Sequence, residues 1–289
     1  MITTYKNCNL CPRKCSVDRT KQKGACMAES VLRCARASLH MWEEPCISGA
    51  RGSGTVFFSG CPLHCVYCQN EVISSNSFGI EITTERLSKI FFELEDKGAE
   101  NINLVTPSHY TPHVIEAIKM AKSRGLSLPF VFNSGGFESV ETLRQYEGLI
   151  DIYLPDMKTA SNEKGKRYYH AENYPETNLR AVEEMKRQCD DNVIIRHLVL
   201  PEGTEDAMDI LDIVCEYFGR GTKLSLMSQY VPMGELEKCP ELCRRLTIDE
   251  YERVVDYAWG LGMENVYTQD IEAATSEFIP CFDGSGIIK

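Results

Sequence analysis

The sequence lacks several features that mark other classes of protein. No apolar run approaches the roughly 20 residues that a membrane-spanning helix needs, and the opening residues, Met1 to Lys6, do not begin a signal peptide. Basic residues are outnumbered, 31 against 42 acidic, and the net charge of −11 disfavours a broad footprint on nucleic acid or an anionic membrane. We therefore expect a cytoplasmic protein that binds neither nucleic acid nor membrane.

Cysteine, by contrast, is abundant, with 14 among 289 residues. Disulfides are rare in cytosolic chains, so metal binding or redox chemistry is the better interpretation of so many thiols. Six cysteines lie in the first 50 residues, three lie between positions 61 and 68, and five are scattered from 189 to 281. Because spacing rather than number indicates a site, the first two groups are the informative ones.

Three cysteines follow the apolar run 54–58 at the spacing C-x3-C-x2-C: Cys61, Cys65 and Cys68 (the loop cysteines). A strand ends here and a loop of residues 59–70 (the cluster loop) begins. Three thiolates in one short loop hold three corners of an iron–sulfur cube and leave the fourth iron open for a substrate or cofactor. A structural zinc ion would require a fourth protein ligand, for which His64 is the candidate. We favour the iron–sulfur cluster.

Residues 1–50 are predicted to form a small cysteine-rich cap, with too few large apolar residues for a core of its own. Its first four cysteines stand at the spacing C-x2-C-x3-C-x10-C: Cys8, Cys11, Cys15 and Cys26 (the cap cysteines). Such a set can close a second metal site, for zinc or for an iron–sulfur cluster. The alternative is that they are free buried thiols, and this is the interpretation that we favour for Cys34 and Cys46.

Residues 51–289 alternate between predicted strands and helices, which indicates βαβ units and a parallel sheet. Strands are predicted at 54–58, 101–106, 128–132, 150–154, 193–200 and 223–227, with a short one at 265–268. Helix starts are predicted at an N-cap, Thr84, and at a capping box that begins with Thr247. Six units are too few for a closed eight-stranded barrel. We therefore predict an α/β fold, a partial (β/α)6 barrel whose site lies at the C-terminal ends of the strands.

The C-x3-C-x2-C motif, with Tyr67 before its last cysteine and βα repeats behind it, resembles the radical S-adenosylmethionine (radical SAM) superfamily over residues 50–289. Within that superfamily the chain resembles the pyruvate formate-lyase activating enzyme and its uncharacterised relatives that carry an N-terminal C-x2-C-P-R-x-C segment. The resemblance implies a [4Fe–4S] cluster on the loop cysteines, with the amino and carboxylate groups of S-adenosylmethionine on its open iron. It also implies reductive cleavage to methionine and a 5′-deoxyadenosyl radical that abstracts a hydrogen from the substrate.

The same resemblance implies partners for the chain. These are an electron donor such as flavodoxin or ferredoxin and, for an activating enzyme, a glycyl-radical enzyme as the target of the radical. A direct catalyst would act instead on a small molecule or peptide. A non-catalytic iron–sulfur or zinc protein is the alternative from another class.

Several later positions match the activating enzymes. Asp156-Met-Lys158 is similar to their Asp-x-Lys stretch that meets the cofactor, the strand around Arg196 resembles their arginine-containing strand, and Asn133 lies where they carry Thr-Asn-Gly. Lys158 or Arg196 suits the methionine carboxylate, and Asp156 suits an ammonium or a ribose hydroxyl. A surface ion pair is the alternative for Asp156 and Lys158, and a plain turn is the alternative for Asn133. Since Arg196 lies inside an apolar strand, it should meet an anion.

One motif of the activating enzymes is missing. Their Gly-Gly-Glu-Pro stretch, which holds the amino group of S-adenosylmethionine, is replaced here by Val105-Thr106-Pro107-Ser108. Hydroxyl and carbonyl oxygens of Thr106 and Ser108 can accept a hydrogen bond from an ammonium. These two residues are therefore our candidates for the replaced contact.

Overall fold

The structure is a computed structural model that describes residues 2–41, 43–76, 78–234, 236–271 and 280–288. Its strands are β1 (Arg33–His40), β2 (Ser53–Phe58), β3 (Ile80–Glu81), β4 (Ile102–Val105), β5 (Phe130–Ser134), β6 (Ile152–Pro155), β7 (Ile194–Leu198), β8 (Lys223–Met227) and β9 (Val266–Thr268). Its α-helices are α1 (Ile2–Lys6), α2 (Pro45–Ser48), α3 (Glu71–Ser74), α4 (Thr84–Asp96), α5 (Thr111–Ser123), α6 (Val140–Leu143), α7 (Asn162–Tyr169), α8 (Tyr174–Cys189), α9 (Thr204–Phe218) and α10 (Ile248–Gly260).

The strands form two sheets that are joined edge to edge. The first has the order β3-β1-β2-β4-β5-β6, and the second has the order β7-β8-β9. Parallel bridges from Tyr153 to Val193 and from Asp156 to Arg196 connect β6 to β7. Seven strands therefore follow one another in parallel, in the order β2, β4, β5, β6, β7, β8 and β9. Each of the first six is followed by a helix. This arrangement confirms the predicted partial (β/α)6 barrel.

Helix starts follow local capping. The apolar positions of α4 at 87, 90, 91 and 94 are all buried, as their helical spacing predicts. The N-cap of this helix is Thr83, whose side chain accepts from the Arg86 amide, and not Thr84 as predicted. The capping box at α10 is confirmed, because Thr247 and Glu250 exchange side-chain-to-backbone hydrogen bonds of 3.0 and 3.3 Å.

Strand β1 lies in the segment that the sequence assigns to the cap. It runs antiparallel to β2, from Cys34 opposite Phe58 to His40 opposite Ser53. Its residues are small or charged rather than β-branched, so its composition gives little strand signal. The division of the chain near residue 50 stays a prediction, and β1 is a hydrogen-bonded connection across it.

Residues 280–288 lie along β1. Ala37 donates its amide to the Ser285 carbonyl at 2.9 Å, and Gly284 donates to the Ala35 carbonyl at 3.0 Å. Gly286 has a φ of 74°, and a Cβ at this position would stand 2.0 Å from the Ala37 carbonyl, so only glycine allows this approach. Among the described helices, none has the length and apolar content to cross a membrane.

Residues 43–52, between β1 and β2 (the connector), lie at the N-terminal end of the barrel strands. Because β1 is antiparallel to β2, His40 ends beside the start of β2. The Asn101 amide donates to the Ile47 carbonyl at 2.8 Å and so ties α2 to the start of β4. This placement brings the side chains of Glu43 and Glu44 to the cavity inside the barrel.

Candidate active site

The cluster loop begins where β2 ends, with the loop cysteines half-buried and free of disulfides. Gly60 turns the chain with a φ of 91°, and a Cβ there would meet the Cys26 carbonyl at 2.6 Å. The Leu63 amide donates to Cys61 Sγ at 3.5 Å, and the Ser74 hydroxyl donates to Cys68 Sγ at 3.4 Å. Such hydrogen bonds orient metal-ligating sulfurs and tune a cluster's potential.

His64 does not serve as a fourth ligand in this arrangement. Its Nε2 lies 2.7 Å from the Ala25 carbonyl and its Nδ1 lies 3.3 Å from the Ser75 hydroxyl, so both ring nitrogens have partners. Among the described residues, no group of three or more histidine, cysteine or acidic side chains is arranged to hold a single metal ion. A cube places each cysteine on a different iron. Three half-buried thiols without a fourth ligand from His64 fit that group better than a closed zinc site.

Burial keeps the thiols of Cys61 and Cys65 protonated in the absence of metal. It raises the pKa of Cys61 to about 12, and it raises the pKa of Cys65 as well, although the Lys158 ammonium opposes this shift. Metal ligands must be deprotonated, so binding of a cluster releases protons here.

A cavity of about 280 Å³ lies between the cluster loop and the barrel strands. Cys65 and Cys68 line it on the loop side. Apolar side chains such as Phe57, Val105 and Leu198 line part of the rest, and the polar lining residues are His40, Glu43, Glu44, Gln69, Asn70, Asn133, Asp156, Lys158, Arg196, Gln229 and Gln269. The volume is near the lower end of the range of about 300–1,000 Å³ for small-molecule sites. The cavity therefore suits one ligand of cofactor size.

Arg196 is the centre of a buried charge network in this cavity. Its guanidinium donates from Nη1 to Glu43 Oε1 at 2.8 Å, from Nη2 to Asn133 Oδ1 at 2.6 Å and from Nε to Asp156 Oδ1 at 3.0 Å. The side chain is 11% exposed. The expectation that this arginine meets an anion is confirmed, and the anions are two carboxylates of the protein.

Asp156 links Arg196 to Lys158. Lys158 Nζ donates to Asp156 Oδ2 at 2.7 Å. Burial alone would raise the carboxyl pKa, but the two cations outweigh it and hold the pKa of Asp156 below its ordinary value. Burial likewise opposes the charge of Lys158, and Asp156 with Cys65 overcomes it and raises the pKa of the lysine. All three groups are therefore charged at neutral pH.

Four of the six predicted cofactor residues meet in this cavity, namely Asn133, Asp156, Lys158 and Arg196. Thr106 and Ser108 do not line it. Thr106 has a φ of 57° and donates its amide to the Asn133 carbonyl at 2.8 Å, so it serves the turn after β4. Ser108 is fully buried beside Glu138 because the chain enters a 3₁₀ turn there. Their side chains are thus placed away from the expected contact.

Two carboxylates of the connector were missed by the sequence analysis. Glu43 accepts from Arg196, and it also accepts from the Asn103 side chain at 2.7 Å. Glu44 is 5% exposed, and burial raises its pKa although Arg196 opposes this shift. The sequence offered only an acidic pair before Pro45, and nothing in the pattern placed it inside the barrel.

The model of the radical SAM superfamily matches residues 55–214. An uncharacterized protein of Methanocaldococcus jannaschii is 30% identical over 91% of this chain and 77% of its own length. A pyruvate formate-lyase-activating enzyme of Clostridium pasteurianum is 26% identical over 54% of this chain and 65% of its own length.

Solved structures give the same fold at low identity. Streptococcus suis SuiB matches 75% of this chain and 48% of its own, with a TM-score of 0.53 and 11% identity. Native anSMEcpe with bound AdoMet matches 73% of this chain and 61% of its own, with a TM-score of 0.52 and 13% identity. The chain thus spans about half to three-fifths of these solved chains. Because the superfamily model covers more than half of the 289 residues, the chain belongs to the radical SAM superfamily.

Proposed function

We propose that the chain is a radical SAM enzyme that uses a reduced cluster to cleave S-adenosylmethionine and takes a hydrogen from a substrate, for which a glycyl-radical enzyme is the first candidate. Membership of the superfamily implies a [4Fe–4S] cluster and S-adenosylmethionine. The observation that carries the proposal is that two of the loop cysteines, Cys65 and Cys68, and the Asp156–Lys158 pair line one cavity. Cluster and cofactor would therefore share a site at the C-terminal ends of the strands.

The loop cysteines would hold the cluster. When bound and reduced, it supplies the electron that splits S-adenosylmethionine into methionine and a 5′-deoxyadenosyl radical. A one-electron donor such as flavodoxin or ferredoxin would reduce it. The protein's own task is to orient the cofactor and exclude water.

Lys158 is the better candidate for the methionine carboxylate. Among the described residues its ammonium donates only to Asp156, so its other two N–H groups remain for a ligand. Arg196 already donates to three protein groups. We therefore assign Arg196 to positioning: its fork fixes Asp156 and Asn133, which face the cavity as candidate contacts to the ammonium, ribose or base.

The activase-like assignment is the finer part of the proposal. It is supported by the similarity to the Clostridium pasteurianum activating enzyme and by the Asp-x-Lys stretch at the cavity. The target would then be a glycine of a glycyl-radical enzyme. The second candidate is direct action on a small molecule or peptide. It is favoured because the similarity to the activating enzyme extends over only 54% of this chain and 65% of that enzyme.

Anaerobic protein with a reconstituted cluster, dithionite and S-adenosylmethionine tests the cleavage step. We expect 5′-deoxyadenosine from the parent chain and none from Cys65→Ala, because that variant lacks one of three cluster ligands. Cys215→Ala, on the outer helix α9, is the matched control and should retain full activity. Full cleavage by Cys65→Ala would refute the assignment.

The choice of target needs a second assay. Incubation with a glycyl-radical enzyme from the same genome should give a glycyl-radical signal in electron paramagnetic resonance. If cleavage occurs but no such partner gains a radical, the direct catalyst becomes the better account.

A further inference from the structure

The cap cysteines lie near one another in the structure although they span 19 residues. Cys8, Cys11 and Cys26 are buried and Cys15 is half-buried. A tight loop brings the first three together: Cys8 donates its amide to the Val17 carbonyl at 3.1 Å and accepts from Ser16 at 3.0 Å. Cys8 and Cys15 are neighbours of Cys26, and Cys8 and Cys26 are neighbours of Cys11, within the range of electrostatic interaction.

The backbone around these thiols is strained. Lys14 and Ser16 flank Cys15 with φ values of 41° and 55°, and Met27 follows Cys26 with 59°. Left-handed conformations cost non-glycine residues on the order of 1–3 kcal/mol each and persist only where the surroundings impose them. Lys14 and Met27 close turns onto the carbonyls of Cys11 and Gly24, so the strain lies in the turns that carry the thiols.

Arg19 is the independent observation that points to a ligand. Its side chain is fully buried, with 0% exposure. The guanidinium donates to the carbonyls of Ala28, Glu29 and His109 at 3.0, 2.7 and 2.6 Å, and it approaches Cys8 Sγ at 3.7 Å. The rings of Tyr5 and Tyr110 cover it. No carboxylate of the described residues pairs with it.

A buried cation without a counter-anion is strongly unfavourable. Arg cannot shed its proton in a protein, so the charge stays. Cys8 Sγ, 3.7 Å from the guanidinium, and Cys26 are the metal-ligating groups beside Arg19, whereas the phenol of Tyr5 stays neutral because burial raises its pKa. Free thiols would leave the cation unbalanced, whereas thiolates bound to a metal would neutralise it.

We propose that the four cap cysteines bind a second metal centre, a zinc ion or an iron–sulfur cluster, with Arg19 as its buried counter-cation. Four thiolates around a dication carry a net negative charge that the guanidinium offsets. In the structure neither these thiols nor the loop cysteines are grouped at the spacing of a single ion. Binding would therefore draw the thiols together.

This second centre would lie against the first. The Cys61 amide donates to the Cys26 carbonyl at 3.0 Å, so a ligand of the cap centre holds a ligand of the cluster loop. Arg13, between Cys11 and Cys15, donates to the Pro62 carbonyl at 2.8 Å. The cap centre would thus form part of the wall that fixes the cluster loop.

The test removes the first site and asks what metal remains. The parent for this experiment is the full chain with Cys61→Ala, Cys65→Ala and Cys68→Ala, purified anaerobically, with iron, sulfide and zinc counted per chain. A cap that still holds its metal keeps either about four irons with sulfide or about one zinc without it. Both results support the proposal and identify the metal. A folded triple variant that holds neither would overturn it.

Two further variants make the result specific. Cys26→Ala added to the triple variant should abolish the remaining metal, and Cys34→Ala, which removes another fully buried thiol, should leave it unchanged. The proposal would be overturned if the Cys26→Ala and Cys34→Ala variants held the same amount of metal per chain, or if both lost it to the same extent. The count requires no cleavage of S-adenosylmethionine, so failure of the proposed function and failure of this inference are distinguishable.

Discussion

Two buried arginines, one in the barrel and one in the cap, differ in the groups that surround their charge. Arg196, in the barrel, meets Asp156 and Glu43, so its charge is balanced by carboxylates of the chain itself. Arg19, in the cap, is more deeply buried and meets only carbonyls, aromatic rings and one cysteine sulfur among the described residues. The charge of Arg196 is therefore balanced before any ligand binds, whereas in our proposal metal-bound thiolates balance the charge of Arg19.

The difference predicts how each region depends on metal. A network that is already paired keeps its geometry in the apo protein and is preorganised for the cofactor. Because metal-bound thiolates would neutralise Arg19, the stability of the cap should depend on how much metal is bound. Single substitutions at the two arginines should therefore behave differently with and without metal.

The largest effect is expected for Arg196→Met. The change leaves Glu43 and Asp156 buried near each other without their shared cation, and loss of one partner of a buried ion pair costs about 3–5 kcal/mol. Chemical denaturation of the apo and metal-loaded proteins should show the same loss. Arg51→Met, which breaks the exposed pair with Glu100, is the control and should leave the free energy of unfolding nearly unchanged, because solvent screens exposed ion pairs. A cost that differs between apo and loaded protein would contradict the comparison.

Arg19→Met should come next, with a cost that depends on metal. The three carbonyl hydrogen bonds are lost in either state, but removal of a buried cation that has no carboxylate partner offsets much of that loss, so the net cost falls below that of Arg196→Met. In the loaded protein the thiolates lose their counter-cation as well. We therefore expect a larger loss of unfolding free energy with metal than after chelation. Equal losses in the two states would break the contrast with Arg196.

The sequence predicted those parts of this comparison that depend on residues close together in the chain. The spacing of the loop cysteines, the βα units and the need of Arg196 for an anion were all visible in the sequence. It did not reach Glu43, because that carboxylate enters the barrel through a connector whose path depends on β1. Nor did it find β1, whose small and charged residues resemble loop, or the burial of Arg19, which depends on Tyr5 and Tyr110 from distant segments.

Glu43→Gln tests the connector's share of the network with a smaller effect. The amide keeps one acceptor for Arg196 or Asn103 but not the charge, and Asp156 still pairs with the guanidinium. We expect a loss of about 1.5 kcal/mol, the lower end of the range for a single hydrogen bond to a charged group, and weaker binding of S-adenosylmethionine through a less rigid Asp156. Arg51→Met serves again as the control. An unchanged affinity and stability would show that the connector only fills space.

The smallest effect concerns pH and the ring of His109. Burial and then the charge of Arg19 lower the pKa of this histidine to about 3, and its Nε2 lies 2.8 Å from the Ser59 carbonyl. Between the unfolded pKa of about 6.5 and the folded value, the unfolded state binds the proton and the folded state does not. Stability is therefore fully present above pH 6.5 and is lost as the pH falls.

His109→Gln removes this titration while an amide N–H can still meet the Ser59 carbonyl. Linkage gives a loss of about 1 kcal/mol for the parent chain between pH 6.5 and pH 5.5, and the variant should lack that part of the slope. Urea denaturation at the two pH values measures both slopes, and their difference cancels other groups that titrate in the same range. Because Arg19 helps to keep the ring neutral, Arg19→Met should also flatten the acid side of the profile. Parallel profiles for the parent and His109→Gln would contradict the lowered pKa of His109, and a profile of Arg19→Met parallel to that of the parent would mean that burial alone lowers it.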